Sequence, residues 1–221
     1  MHIVVLAATG GIGRHLLDQA LAAGHEVTAV VRNPARLDRP VRTVTADLAS
    51  ADPAVLERAV AGADAVLSGL GARSSAEAGV AWRGTRSVAS AMAATGVRRI
   101  VVVSAAPIGT VASPGRPTPP RRDPGDGFLM TQLGSRIVKV ALRKHYADLA
   151  RMEDVLRDSA LDWTVVRPPR LTDRPVTGDY RTAYDRNIRG GVFASRADVA
   201  HLMLRALDEP ESIRHTVGIA N

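Results

Sequence analysis

The chain has 221 residues, 46% of them apolar and 23% charged, which suits one soluble domain with a sizeable core. The absence of cysteine excludes disulfides, zinc-thiolate sites and a cysteine nucleophile. Seven aromatic residues do not build a stacking platform for single-stranded nucleic acid, and a net charge of +7 points to a polyanion without specifying nucleic acid, membrane or a phosphorylated small molecule.

Met1 leads straight into the apolar run Ile3–Leu6, so no secretory leader is expected. No apolar run approaches the roughly 20 residues of a membrane helix. The expectation is a cytoplasmic protein without a membrane contact.

Along the chain, short β-branched runs alternate with Ala- and Leu-rich stretches. Strands are expected at His2–Ala7, Glu26–Val31, Val41–Val44, Ala65–Ser68, Arg99–Val103 and Trp163–Arg167. Several are nearly continuously apolar, as expected for strands buried on both faces of a parallel sheet. Between the first two, Ile12, Leu16, Leu17, Ala20 and Leu21 recur at helical spacing, with Gly24 at the C-terminal cap position. Asp52-Pro53 reads as an N-cap followed by proline in the first turn. Further helices are expected at Val80–Thr95, closed by Gly96, at Leu133–Ser159 and at Ser195–Leu207. In the last, Ser195 and Asp198 read as a capping box with Asp in place of Glu. The alternation implies right-handed crossovers and a doubly wound α/β sheet. The run Pro107–Gly127, with six prolines, breaks the pattern and is either a functional lid or a mobile excursion.

The first strand runs into Ala7-Ala8-Thr9-Gly10-Gly11-Ile12-Gly13 and then a helix, the context of a dinucleotide-binding turn. Gly10 lets the backbone approach a pyrophosphate, Gly13 lets the helix pack on the strand, and the first N–H groups of the helix face the phosphate charge. At the end of the second strand, where an NAD-preferring site carries an acid for the ribose 2′-hydroxyl, stand Val31-Arg32-Asn33, with Arg36 a turn later. A guanidinium grips a 2′-phosphate that an acid would repel, so NADP(H) is the expected cofactor. The alternative is a solvated surface arginine. Asp47, after the third strand, either meets the adenine amino group or caps a local turn. Ser68-Gly69-Leu70-Gly71 either passes the nicotinamide ribose or is only a loop.

The residues Ala8–Gly13, Val31–Leu37, Ala61–Val66, Leu70–Arg73, Trp163–Pro169, Pro175–Tyr180 and Asp198–Ala200 together resemble the atypical short-chain dehydrogenase/reductases. The similarity is to their NAD(P)H-binding, NmrA-like branch, which holds the biliverdin reductase B-like flavin reductases, and it runs over nearly the whole chain. It implies a Rossmann-type fold in a single domain, residues 1–221, with substrate-side loops at 105–130 and 168–194. It implies that Thr9, Gly10 and Ile12 line the pyrophosphate, with Gly11 and Gly13 completing the cofactor-binding turn, and that Arg32 and Arg36 hold the 2′-phosphate. Asp47 and Leu48 would flank adenine, with Leu70, Gly71 and Arg73 on the ribose side. Val103, Ser104 and Pro168–Leu171 would surround the nicotinamide and the substrate.

Departures from the family bear on mechanism. Its first turn glycine is Ala7 here, its usual serine aligns with Ala105 beside Ser104, and the histidine after Pro-Pro is Arg170. The Tyr-x-x-x-Lys pair is absent: His145 with Leu149, or Tyr146 with Ala150, stand there, so an alcohol–ketone mechanism, which needs Tyr as acid with a neighbouring Lys to lower its pKa, is poorly supported. Reduction of a flavin-like acceptor asks less of the protein. Ser104, Arg170 and Tyr146 are the catalytic candidates, with His145 in reserve. Their plainer readings are a strand end for Ser104, a pair with Asp173 for Arg170, packing for Tyr146 and solvation for His145. Trp82 and Trp163 read as core. The histidines show no metal-ligand spacing, so no metal is expected.

Two functions remain open at this level. One is an NADPH-dependent reductase of a flavin-like or other conjugated, anionic small molecule; the other is a non-catalytic NADP(H)-binding redox sensor. The arginines are dispersed and no nucleic-acid-binding motif is present, so nucleic acid is not an expected partner. The chain is expected to be a monomer or a homodimer.

Overall fold

A computed structural model describes residues 1–72, 74–125 and 142–221. The elements in chain order are β1 (His2–Leu6), α1 (Gly11–Ala22), β2 (Glu26–Val31), β3 (Arg42–Thr45), α2 (Pro53–Val60), β4 (Ala65–Ser68), α3 (Val80–Thr95) and β5 (Arg99–Val103). After them come α4 (Arg143–Arg157), β6 (Asp162–Arg167), β7 (Arg170–Thr172), β8 (Arg181–Tyr184), β9 (Phe193–Ser195), α5 (Arg196–Arg205) and β10 (His215–Ala220). Eight strands form one sheet in the order β3-β2-β1-β4-β5-β6-β10-β8, and β7 pairs with β9 in a second, two-stranded sheet. Every pairing from β3 across to β10 is parallel; only β8 runs antiparallel, against β10. The order reverses between β1 and β4, so the strand ends on either side of that point open into one crevice, where ligands of such sheets bind.

The apolar strands are buried on both faces, as a parallel sheet requires. Val4, Leu6, Ile100 and Val102 face one cluster, with Leu56, Val88, Met92, Met152 and Leu156 from α2, α3 and α4. Their neighbours Ile3, Val5, Val101 and Val103 point the other way, into Leu16, Leu17, Leu202 and Met203 of α1 and α5.

The six expected strands are all present, and Gly24 and Gly96 end α1 and α3 in left-handed conformations, with φ of 76° and 77°. Asp52 caps α2 by accepting from Ala54 N–H. Four strands, β7 to β10, do not follow from periodicity. Three of them have only three or four residues, and β10 carries Gly218, whose missing side chain leaves room for the Arg186 carbonyl. The expected helix Leu133–Ser159 is described from its Arg143–Arg157 part; residues 133–141 lie outside the described residues. The last helix is shorter than expected and gives way to a 3-10 turn over Ala206–Asp208.

The expected capping box is only half formed. Ser195 Oγ accepts from Asp198 N–H, but Ser195 N–H donates to Asn221. An Asp is one methylene shorter than the Glu this motif usually uses, and Asp198 is drawn into a different set of bonds. The Pro/Gly-rich run is also not a free excursion in its described part, residues 107–125. Ser113 Oγ and Gly115 N–H donate to Asp154, and the buried Asp123 accepts from Asn187 N–H at 2.7 Å. Trp163 is core, whereas Trp82 is half-buried with the Arg86 guanidinium 4.8 Å from its ring centre. No helix among the described residues is long and apolar enough to cross a membrane.

Candidate functional site

The turn between β1 and α1 is built by close backbone contacts. Ala7 stands in the left-handed region, with φ of 55°, and its carbonyl accepts from Gly10 N–H at 2.7 Å. This conformation explains why related turns carry glycine there: an L side chain costs roughly 1 kcal/mol in it. A Cβ on Gly13 would stand 2.1 Å from that same carbonyl, so Gly13 is what lets α1 sit on the turn. Gly10 precedes α1 without any side-chain cap, and no acidic residue stands in the first turn. By contrast α2 is capped by Asp52, α5 by Ser195, and the start of α3 by Asp148, which reaches across from α4 to Gly79, Ala81 and Trp82 N–H. The first N–H groups of α1 are left to attract an anion.

A cavity of about 240 Å³ opens beside this turn. Thr9 lies at one end, and Arg32, Asn33 and Arg36 follow from the end of β2. Asn33 Oδ1 accepts from Ala35 N–H and starts the 3-10 turn Pro34–Arg36, which carries Arg36 toward the cavity. Asp47, Leu48, Leu70 and Gly71 form a further part of the wall. Asp47 also accepts from Ala49 N–H, so it both shapes a local turn and lines the cavity. Leu48 and Leu70 close in over Gly84 of α3, where a Cβ would stand 2.6 Å from Leu70 Cδ2. A shallower recess shares Thr9 and Arg36 with the cavity and adds Gly10, Gly11 and Arg14. An apolar floor beside arginines and unpaired N–H groups matches the chemistry of an adenosine carrying phosphates.

Sequence reasoning did not identify Glu77, which also lines the cavity and forms an ion pair with Arg32, Oε1 to Nη2 at 2.9 Å. Arg14 went unremarked as well. Both lie in stretches that read as ordinary surface.

The remaining candidates lie elsewhere. Ile12 is buried between α1 and α5, and Val103 faces the same cluster. Pro168 is buried, with its carbonyl accepting from Ala106 N–H. Arg73 lies outside the described residues. Arg170 is exposed at the start of β7, with its guanidinium 5.8 Å from the Phe193 ring centre; the partner foreseen for it, Asp173, is taken by Arg196. Tyr146 is half-buried against the α2–α4 cluster, and burial pushes its phenol up. His145 is half-buried too, its Cε1 lying 3.9 Å from where a Cβ on Gly71 would stand. Burial pushes its imidazole down, against the pull of Asp148, so it is neutral near pH 7.

Ser104 lies in a buried polar cluster. It is buried at the end of β5, and its hydroxyl donates to Glu153 Oε1 at 2.8 Å. Glu153, itself 1% exposed, is gripped on both oxygens by Arg167 of β6 and also accepts from Arg157. With its single proton committed to Glu153, Ser104 offers only lone pairs to a ligand. Glu153 is a further residue that sequence reasoning missed, since on a helical wheel it is one more charge.

A family model described as NAD(P)H-binding matches residues 7–210. The chain is 29% identical over 142 residues to UPF0659 protein C216.03 of Schizosaccharomyces pombe, a match covering 64% of this chain and 54% of that protein, so it spans about half its length. Among solved structures, ChuY, an anaerobillin reductase from Escherichia coli O157:H7, covers 100% of this chain and 97% of its own at a TM-score of 0.77 and 21% identity. A short-chain dehydrogenase/reductase from Veillonella parvula in complex with NADP covers 100% and 94% at a TM-score of 0.74 and 22% identity. At these identities the likeness establishes the fold.

Proposed function

On the premise that the chain belongs to the NAD(P)H-binding family, we propose that it is an NADPH-dependent oxidoreductase that reduces a flavin-like or other conjugated small molecule. The observation that carries this reading is the arginine-edged cavity at the end of β2, where Arg32 and Arg36 flank a phosphate-attracting helix start. The N–H groups of α1 hold the pyrophosphate, and Arg32 and Arg36 hold the 2′-phosphate. Asp47 accepts from the adenine amino group, and Leu48 and Leu70 pack on its ring. The bound nicotinamide supplies the hydride. Gly71 and the neutral His145 form the ribose-side wall beyond the adenine pocket, and Arg170 draws an anionic acceptor toward the strand ends. The acceptor's proton comes from solvent, because Tyr146 has Ala150 where the Lys of a Tyr-x-x-x-Lys pair would lower its pKa. ChuY, a reductase of the same fold, is consistent with this reading.

The test is incubation with NADPH and a panel of flavins, quinones and tetrapyrroles, followed at 340 nm. Acceptor-dependent oxidation that Arg32→Ala weakens at sub-saturating NADPH is the expected result. The second reading, a non-catalytic NADP(H)-binding sensor, is favoured by one observation: the Ser104 proton is spent on Glu153. Tight NADP(H) binding without turnover across the panel would select it.

A further inference from the structure

We propose that Arg196, the first residue of α5, is a pyrophosphate-binding residue of the site, an inference that rests on the nucleotide reading above. Nothing in its local sequence suggests this, since it belongs to the far end of the chain. In the fold its side chain lies across the glycine turn. A Cβ on Gly11 would stand 2.9 Å from both Cδ and Nε of Arg196 and 4.0 Å from its guanidinium carbon. The Cδ–Nε end of the side chain therefore covers Gly11, the first residue of α1, which itself lines the shallower recess beside the turn.

Its backbone is held firmly. Ser195 caps α5 immediately before it, and Gln19 of α1 donates to the Ala197 carbonyl immediately after it at 2.9 Å. Only one donor of the fork is engaged: Nη1 gives to Asp173 at 2.6 Å, while Nε and Nη2 donate to no described residue. Asp173 is 86% exposed, so it restrains the arginine in solvent and does not neutralise it in a dry pocket. The free edge of a planar guanidinium suits two phosphate oxygens. Gly11 then has a second purpose: a side chain there would push Arg196 off the turn. The Asp173–Arg196 pair also ties the segment after β7 to the phosphate turn, so one arginine serves the pyrophosphate and steadies the substrate-side wall.

The experiment is calorimetric titration of the full-length wild type, Arg196→Gln, Asp173→Asn and Arg32→Ala with NADPH and with NADH. Both nucleotides contain the pyrophosphate. Arg196→Gln is expected to weaken both by the same factor, about tenfold or more for one charge-assisted pair, whereas Arg32→Ala weakens NADPH alone. Asp173→Asn removes the same ion pair yet leaves the guanidinium, so it should bind both nucleotides as tightly as the wild type or more so. The proposal is overturned if Arg196→Gln binds both nucleotides as the wild type does. It is equally overturned if Asp173→Asn loses as much affinity as Arg196→Gln, because the arginine's role would then be structural. A wild type that binds neither nucleotide would refute the nucleotide reading itself, and this proposal with it.

Discussion

Replacing Arg32 with Ala isolates the contribution of one guanidinium at the end of β2. In the free protein Arg32 is paired with Glu77 at 2.9 Å, with 49% of its side chain in solvent. A pair that exposed contributes about 0–1 kcal/mol. Charge-assisted hydrogen bonds to a 2′-phosphate contribute about 1.5–3 kcal/mol. Exchanging one partner for the other therefore nets about 1–2 kcal/mol, or about five- to thirtyfold in affinity. Arg32→Ala is expected to raise the Kd for NADPH by that factor and to leave NADH nearly unchanged. Glu77→Gln releases the arginine and should tighten NADPH binding by up to about fivefold, a gain that disappears in the double variant. Isothermal titration at one fixed ionic strength is the right assay, because salt screens exposed charges. Equal losses for the two nucleotides, or none for NADPH, would refute the assignment of Arg32.

Three further outcomes follow from the interior. Glu153→Ala leaves Arg167 as a buried cation without its carboxylate, which should cost about 3–5 kcal/mol and lower the Tm by roughly 6–20 °C; a loss below about 1 kcal/mol in calorimetry would show that the cluster relaxes freely. Asp198 titrates from about 2 in the fold against an ordinary 3.8: burial pushes its carboxyl up, but hydrogen bonds from Thr177, Asn221, Gly178 and Ser195 outweigh it. Its folded value is the depressed one, so its stabilisation is fully present above about pH 4 and lost as pH falls toward 2. Urea titrations of wild type and Asp198→Asn should accordingly differ by about 2 kcal/mol at pH 6 and converge by pH 2; a constant gap across that range would exclude the carboxylate as the cause. Ala7→Gly relieves a left-handed alanine and should raise the Tm by about 2–4 °C at most, whereas a fall would mean that its methyl packing outweighs the strain.

The sheet core was legible because a parallel strand buried on both faces is apolar through most of its length, as Ile3–Leu6, Ala29–Val31, Ala65–Leu67 and Ile100–Val103 are. The segments β7 and β9 were not legible. Arg170–Thr172 and Phe193–Ser195 are three-residue runs with no period to read, and they become strands only by pairing with each other across twenty intervening residues. The glycine turn was readable for a similar reason to the core. Its requirements are met within seven consecutive residues: a left-handed position at Ala7, an uncapped helix start at Gly10, and a backbone contact at Gly13.

What the sequence by itself determined is therefore the doubly wound fold, the glycine turn and the position of the arginines after β2. Each depends on residues close together in the chain, where spacing is geometry. Tertiary structure alone decided which side chains meet. Ser104 reads as a free hydroxyl until α4 brings Glu153 to it, and Arg32 reads as an open phosphate ligand until Glu77 is seen across the cavity. Among 27 arginines, it is the packing of α5 on α1 that lays Arg196 over Gly11. Charge is a property of the residue, but its partner is chosen by the fold. The direction of a proton at Ser104 and the occupancy of each guanidinium were settled only when distant elements came into contact.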